Sequence, residues 1–247
     1  MAVKAPLLEA RTIGKSFLGI PALDGVDFTL NEGEVHALLG ENGAGKSTLI
    51  KILTGVYTRD RGAIFLDGDE ISPSNVGEAQ LLGIGTVYQE VNLLENLTVA
   101  ENLFLGRQPR RFGLVDRKEM NRRATVLLAR YGLSIDVTSL LSSYSVAVQQ
   151  IIAIARAVDL SGKVLVLDEP TASLDSHEVE MLFAVLRQLR DEGLGIVIIT
   201  HFLNQVYDIA DRVTVLRNGR LVGSREIASL PRSELISMML GRELQQV

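Results

Sequence analysis

The sequence predicts an α/β fold, a parallel sheet covered by helices on both faces, with a strand-rich N-terminal part and a helical insertion. Three observations lead there. Continuous apolar runs at 35–39, 163–168 (KVLVLD) and 195–200 (GIVIIT) read as strands buried on both sides. A glycine-rich turn at 40–48 (GENGAGKST) joins the first run to a segment with helical periodicity. Between about 90 and 160 the strand pattern disappears. At 247 residues, 47% of them hydrophobic, the chain fits one large domain and falls short of two full-sized ones.

Taken in order, residues 7–38 suggest short strands, with Phe28 and Leu30 before the turn Asn31-Glu32-Gly33-Glu34. Leu49, Ile50, Ile52 and Leu53 recur at helical spacing, and Gly55 stops that helix. Residues 62–68 (GAIFLDG) and 85–89 (GTVYQ) read as strands, and 99–106, 116–131 and 147–158 as helices. Strands return at 163–168, 195–200 and 212–216, with a helix over 176–191 between the first two. No repeat or low-complexity linker divides the chain.

Composition narrows the function. A formal net charge of −5 gives no footprint for nucleic acid, and Arg107, Arg110 and Arg111 read as a solvated basic loop. Cysteine is absent, which excludes a disulfide framework and thiolate metal sites. No run approaches the roughly 18 apolar residues of a membrane-spanning helix, and the first residues lack a signal-peptide pattern, so an unexported chain is expected.

Chemistry concentrates in two motifs. Gly40-Glu41-Asn42-Gly43-Ala44-Gly45-Lys46-Ser47-Thr48 contains G-x-x-x-x-G-K-[ST] between a strand and a helix, the context a phosphate-binding loop requires. Its glycines let backbone N–H groups approach phosphate oxygens, and the helix beginning near Gly45 adds its positive end. Lys46 offers a mobile charge to the β- and γ-phosphates, and Ser47 offers a hydroxyl to Mg²⁺. The order G-x-x-G-x-G-K excludes the dinucleotide fingerprint G-x-G-x-x-G. The second motif, residues 164–170 (VLVLDEP), is an apolar strand ending in two carboxylates. Asp168 is placed to hold Mg²⁺ and Glu169 to orient or deprotonate the attacking water; a helix cap or solvated turn is the plainer alternative.

With these motifs in that order, the sequence resembles the ATP-binding-cassette (ABC) ATPases over nearly its whole length. The resemblance implies a P-loop NTPase cassette with a parallel-sheet core, an N-terminal antiparallel β subdomain and an inserted all-helical subdomain. One nucleotide-binding domain would cover 1–247, the core at 1–89 and 160–247 and the helical part at 90–159. ATP and Mg²⁺ are the implied cofactors. Phe17 matches the aromatic residue that stacks on adenine, with a core aromatic as the alternative. Gln89 matches the glutamine that contacts Mg²⁺ or the attacking water. Asp175, in Ser173-Leu174-Asp175, resembles the loop that crosses between two cassettes, and His201 resembles the switch histidine at the γ-phosphate, with a structural histidine as the alternative.

One segment departs from the family pattern. Where members carry Leu-Ser-Gly-Gly-Gln, this chain has Tyr144-Ser145-Val146-Ala147-Val148, so Ser145 alone is kept. Side chains at the glycine positions weaken its expected approach to the ATP held by the opposite cassette. This pattern, with residues 93–107 (LLENLTVAENLFLGR) and 145–150 (SVAVQQ), is similar to the first cassette of double-length monosaccharide importers of the galactofuranose type. That likeness implies a truncated N-terminal half, a second cassette following it, membrane permease subunits, an indirect sugar-binding protein, no nucleic acid, and a peripheral place on the cytoplasmic face of the membrane. The rivals are a non-transport ABC ATPase of translation or DNA repair, for which long arms and basic surfaces are missing, and a regulatory ATP-binding domain, which the Asp168-Glu169 pair disfavours.

Overall fold

The burial pattern of the strands sets the architecture. The computed structural model describes residues 5–88 and 93–241. β1 (Leu8–Phe17) and β2 (Ile20–Leu30) form an antiparallel hairpin with Leu8 opposite Leu30, and β3 (Val35–Leu39) follows the turn at Gly33. The glycine loop then opens α1 (Lys46–Leu53). β4 (Arg61–Leu66) pairs antiparallel with β1 and with β5 (Asp69–Ile71), completing a four-stranded sheet of order β2-β1-β4-β5. α2 (Val76–Leu82) and β6 (Ile84–Val87) come next. Sequence periodicity misses α2 because only Ala79 of its residues is buried. Its termini were nevertheless marked: Asn75 Oδ1 accepts from Glu78 N–H at 2.9 Å, and Gly83 closes it in the left-handed region.

The middle of the chain carries α3 (Val99–Leu103), a small antiparallel pair β7 (Arg110–Arg111) and β8 (Leu114–Val115), α4 (Arg117–Ala129) and α5 (Val146–Leu160). The helical segment therefore contains a two-residue hairpin that its sequence hides, since strands this short show no period-two pattern. The helix expected over 99–106 ends at Leu103, with Phe104 as its cap.

The remaining elements build the main sheet. They are β9 (Val164–Asp168), α6 (Ser176–Asp191), β10 (Gly195–Ile199), α7 (Leu203–Ile209), β11 (Arg212–Arg217), β12 (Arg220–Glu226) and α8 (Arg232–Leu240). Six strands lie in the order β12-β11-β3-β10-β9-β6, all parallel except β12, which runs antiparallel to β11.

Both faces of this sheet are apolar, as its continuous runs demand. Val35, Ala37, Leu39, Leu165, Leu167, Ile196 and Ile198 join the core built with α3, α4, α5 and α6. Leu38, Val164, Val166, Val197 and Ile199 join the core beneath α1 and the antiparallel sheet. Truncating a fully buried member such as Leu167 to alanine costs about 3 kcal/mol.

Candidate functional site

Strand register brings the motifs to one edge. Ile199 pairs with Leu38 of β3 on one side and with Asp168 of β9 on the other, and Leu167 pairs with Val87. The segments that follow β3, β9 and β10 therefore leave the sheet side by side. They are the 40–45 loop, Glu169, and Thr200 with His201. That carboxyl edge is where open parallel sheets bind ligands. Gln89, two residues beyond β6, lies outside the described residues.

The loop's geometry suits phosphate. Gly45 has φ +102°, and an added Cβ would stand 2.7 Å from Leu23 Cδ2 and 2.9 Å from the Ala22 oxygen, so only glycine fits. Gly43, φ +81°, has no protein atom within 4 Å of an added Cβ, which leaves the loop open at its middle. Ala44 N–H donates to the Glu41 oxygen at 3.1 Å, and Gly219 N–H donates to the Ala44 oxygen at 3.1 Å, bracing the turn. Gly45 caps α1 without any side-chain acceptor, so the first N–H groups of the helix remain available, and a depression lined by Ala22 and residues 42–48 lies there. Asn42, Gly43 and Ser47 are exposed in it, and Thr48 is half-buried.

Lys46 Nζ donates to the carbonyl oxygens of Gly40 at 2.7 Å and Glu41 at 3.0 Å, lying across the loop. Burial pushes its pKa down, against the pull of Asp168 and Glu169. Asp168 is the counterpart. Burial raises its carboxyl above the ordinary range, Glu169 adds to that, and Lys46 and Lys51 oppose it. The two acids and two lysines thus form one coupled electrostatic group.

Glu169 adopts φ +48°, unusual for a residue with a side chain, and its N–H donates to the Ile199 oxygen at 2.9 Å. That clamp ties it to the end of β10 and turns its carboxylate toward His201, whose Nδ1 lies 3.2 Å from Glu169 Oε1. His201 is exposed, its ring 4.0 Å from that of Phe202. Neither Asp168 nor Glu169 is a helix cap; Glu169 opens the turn that follows β9, its carbonyl oxygen accepting from Ala172 N–H at 3.3 Å.

The outlying residues occupy separate positions. Phe17 closes β1 at the surface, 39% exposed, with its ring edge-on to Tyr57 at 5.2 Å and Lys15 Nζ 5.6 Å from its centroid. Ser145 is the N-cap of α5, accepting from Val148 N–H at 3.5 Å, and Val146 beyond it is exposed while Ala147 is buried. Asp175 caps α6: Glu178 N–H donates to Asp175 Oδ1 at 2.9 Å, and Asp175 N–H donates back to Glu178 Oε2. Sequence reasoning passed over Lys51, which acts on Asp168, and Tyr57, whose ring backs Phe17 and whose N–H binds the Lys51 oxygen at 2.9 Å. Neither sits in a recognisable motif, and only the fold reveals them.

A family model described as ABC transporter matches residues 23–172, more than half of the chain. The chain belongs to the ABC transporter family. This ABC chain is 64% identical over 238 residues to the galactofuranose transporter ATP-binding protein YtfR of Escherichia coli (strain K12), a match covering 96% of the chain and 48% of that protein. It is 54% identical over 241 residues to the ribose import ATP-binding protein RbsA 1 of Rubrobacter xylanophilus, covering 98% and 48%. The ABC chain therefore spans about half the length of the curated relatives it matches. Among solved structures it is similar to the ADP conformation of MJ1267, an ATP-binding cassette of an ABC transporter, with 27% identity, a TM-score of 0.84, and coverage of 96% of this chain and 100% of that one. The α/β cassette architecture expected from the sequence is thus the fold of a solved ABC cassette.

Proposed function

We propose that the chain binds and hydrolyses ATP as the first cassette of a membrane transporter that imports a monosaccharide. The observation that carries this reading is the meeting of the 40–48 loop, Asp168, Glu169 and His201 at one sheet edge. The relatives named for galactofuranose and ribose support monosaccharides as the cargo class.

The residues fit nucleotide and metal. The open middle of the loop at Gly43 and the uncapped start of α1 give phosphate oxygens a set of free N–H donors. Among the described residues no group of three or more His, Asp or Glu side chains gathers to cage a metal. Mg²⁺ is commonly held by few protein ligands plus phosphates and water. Ser47 and Asp168 would hold it, with Gln89 as the third residue implied by the family. Bound Mg²⁺ would neutralise charge developing on the β- and γ-phosphates.

Lys46 exchanges the Gly40 and Glu41 oxygens for phosphate oxygens. Glu169 accepts the proton of the water whose oxygen attacks the γ-phosphorus as the bond to the β–γ bridging oxygen breaks and ADP departs. His201 orients that carboxylate through Nδ1 and faces the γ-phosphate. Phe17 stacks on adenine, backed by Tyr57. Ser145 and Asp175 serve the contact with a second cassette. The exposed Val146 obstructs that contact, so the ATP on the partner's loop is served more weakly than the ATP on this chain's own loop, and the pair is unequal. Permease subunits and, indirectly, a sugar-binding protein complete the machine, with this chain peripheral on the cytoplasmic face of the membrane.

Turnover of the assembled transporter carrying Glu169→Gln tests the reading. ATP binding is retained and hydrolysis falls by at least about a hundredfold, the scale of losing a general base. Near-normal turnover would remove Glu169 from the proposed role.

A further inference from the structure

The hairpin of β7 and β8 has no place in nucleotide chemistry, yet its composition is pronounced. Phe112 and Gly113 form its two-residue turn with φ of +52° and +83°, both left-handed, the pattern of a type I′ turn. Such turns favour asparagine, aspartate or glycine in the first place. Here a bulky aromatic residue takes the unfavourable conformation while 93% exposed, so no packing offsets its cost. Leu114, 76% exposed, and Val115, 45% exposed, continue the apolar tip. Isolated exposed apolar residues are ordinary, but three on one projecting turn mark a contact surface.

Charge identifies the contact. Arg110 pairs across the hairpin with Val115, and Arg111 with Leu114, so each face carries one guanidinium beside one aliphatic side chain. The nearby acids are engaged elsewhere: Asp159 pairs with Arg107, Glu119 with Arg122 and Arg123, and Asp116 caps α4. Among the described residues no carboxylate lies within ion-pair distance of Arg110 or Arg111. Arg111 instead lies 5.4 Å from the centre of the Phe112 ring. The base of the hairpin is fixed, with Asp116 N–H donating to the Pro109 oxygen at 2.8 Å and Arg107 donating to the Leu103 oxygen at 2.9 Å. This is an anchored, exposed apolar tip, basic on a chain of net charge −5.

We propose that the hairpin is a membrane-surface wedge, in which Phe112 and Leu114 enter the headgroup region of a bilayer and Arg110 and Arg111 bind the phosphates of anionic lipids. An exposed apolar turn flanked, among the described residues, by unpaired guanidinium groups suits a deformable, anionic interface better than a protein surface, which would need a preformed cavity to receive it. The inference deepens the peripheral membrane placement proposed above and rests on that placement, but it makes no use of ATP turnover.

Co-sedimentation of the nucleotide-free chain with vesicles of phosphatidylcholine alone, or with added phosphatidylglycerol, tests it. The unmodified chain partitions onto the anionic vesicles and little onto the neutral ones. Arg110→Gln with Arg111→Gln lowers anionic partitioning roughly twenty-fivefold, about fivefold per guanidinium. Phe112→Asn suits the turn better than phenylalanine, so it removes the wedge without threatening the fold, and it lowers partitioning severalfold while raising the thermal midpoint. ATP affinity is unchanged in all variants. Equal binding of Phe112→Asn and the unmodified chain to anionic vesicles overturns the proposal. So does a variant that keeps vesicle binding but fails to assemble with permease subunits, which would assign the hairpin to a protein partner. Failure of the ATPase reading, seen as normal turnover by Glu169→Gln, leaves the vesicle result standing on its own.

Discussion

His201 Nδ1 and Glu169 Oε1 lie 3.2 Å apart, bridging the ends of the adjacent parallel strands β10 and β9. The contact depends on a backbone outlier. Glu169 stands at φ +48°, held there by its N–H bond to the Ile199 oxygen. A left-handed residue with a Cβ costs about 1–2 kcal/mol, so the carboxylate is aimed at the expense of stability.

Glycine at this position relieves that cost while keeping the backbone bond. Glu169→Gly raises unfolding stability by about 0.5–1 kcal/mol after the greater chain entropy of glycine is deducted. It also abolishes hydrolysis. Urea denaturation beside ATP turnover reads both. A loss of stability would mean that the contact with His201 outweighs the backbone strain.

The two inner glycines of the loop separate folding from binding. Gly43→Ala adds a methyl group in open space at φ +81°, costing about 1 kcal/mol of stability and weakening ATP binding by blocking close approach. Gly45→Ala drives its Cβ to 2.7 Å from Leu23 Cδ2 and 2.9 Å from the Ala22 oxygen, costing about 2–3 kcal/mol and binding together. Thermal melts and nucleotide titration of both variants decide the matter. Equal losses of stability would contradict the assigned difference.

Much of this site was legible because its motifs sit where periodicity changes. Continuous apolar runs ending in Leu39, Asp168 and Ile199 marked parallel strands, and the side-by-side order of those strands brings Lys46, Asp168, Glu169 and His201 together. What stayed hidden depends on distant pairing. The β7–β8 hairpin is too short to show a pattern, the left-handed Glu169 is set by a bond to β10, and Tyr57 meets Phe17 only because β1 lies beside β4. The family resemblance assigns Ser145 and Asp175 to the contact with a partner cassette, and within this chain both are also helix caps, a role their residue types serve.

Asp168 gives a pH dependence whose sign follows from its raised pKa. In the folded chain burial, and then Glu169, disfavour its ionised form, so the folded state holds its proton more tightly than the unfolded state. The ionised carboxylate therefore lowers stability at neutral pH. This penalty fades as the pH falls through the raised folded value toward the ordinary 3.8. Asp168→Asn is more stable than the unmodified chain at about pH 7, and the two converge near about pH 4. Denaturation midpoints at both pH values check it. A difference that grew on acidification would reverse the assignment.

At the start of α5 the structure sharpens which side chain weakens the proposed partner contact. Val146 and Ala147 both replace glycines of the family pattern, but Ala147 is fully buried and Val146 is 47% exposed. Only Val146 therefore presents its methyl groups toward an approaching cassette. Val146→Gly costs only about 0.3–0.5 kcal/mol of helix stability, since valine is itself a weak helix former and glycine a weaker one. In the assembled transporter it exposes the N–H groups next to Ser145 and raises ATP turnover at the partner's loop severalfold. Ala147→Gly, by contrast, opens a small cavity without uncovering anything and leaves turnover unchanged. Turnover measured in transporters bearing each single substitution distinguishes the two positions. A gain from Ala147→Gly equal to that from Val146→Gly would show that backbone freedom at the helix start, and not the exposed side chain, limits the contact.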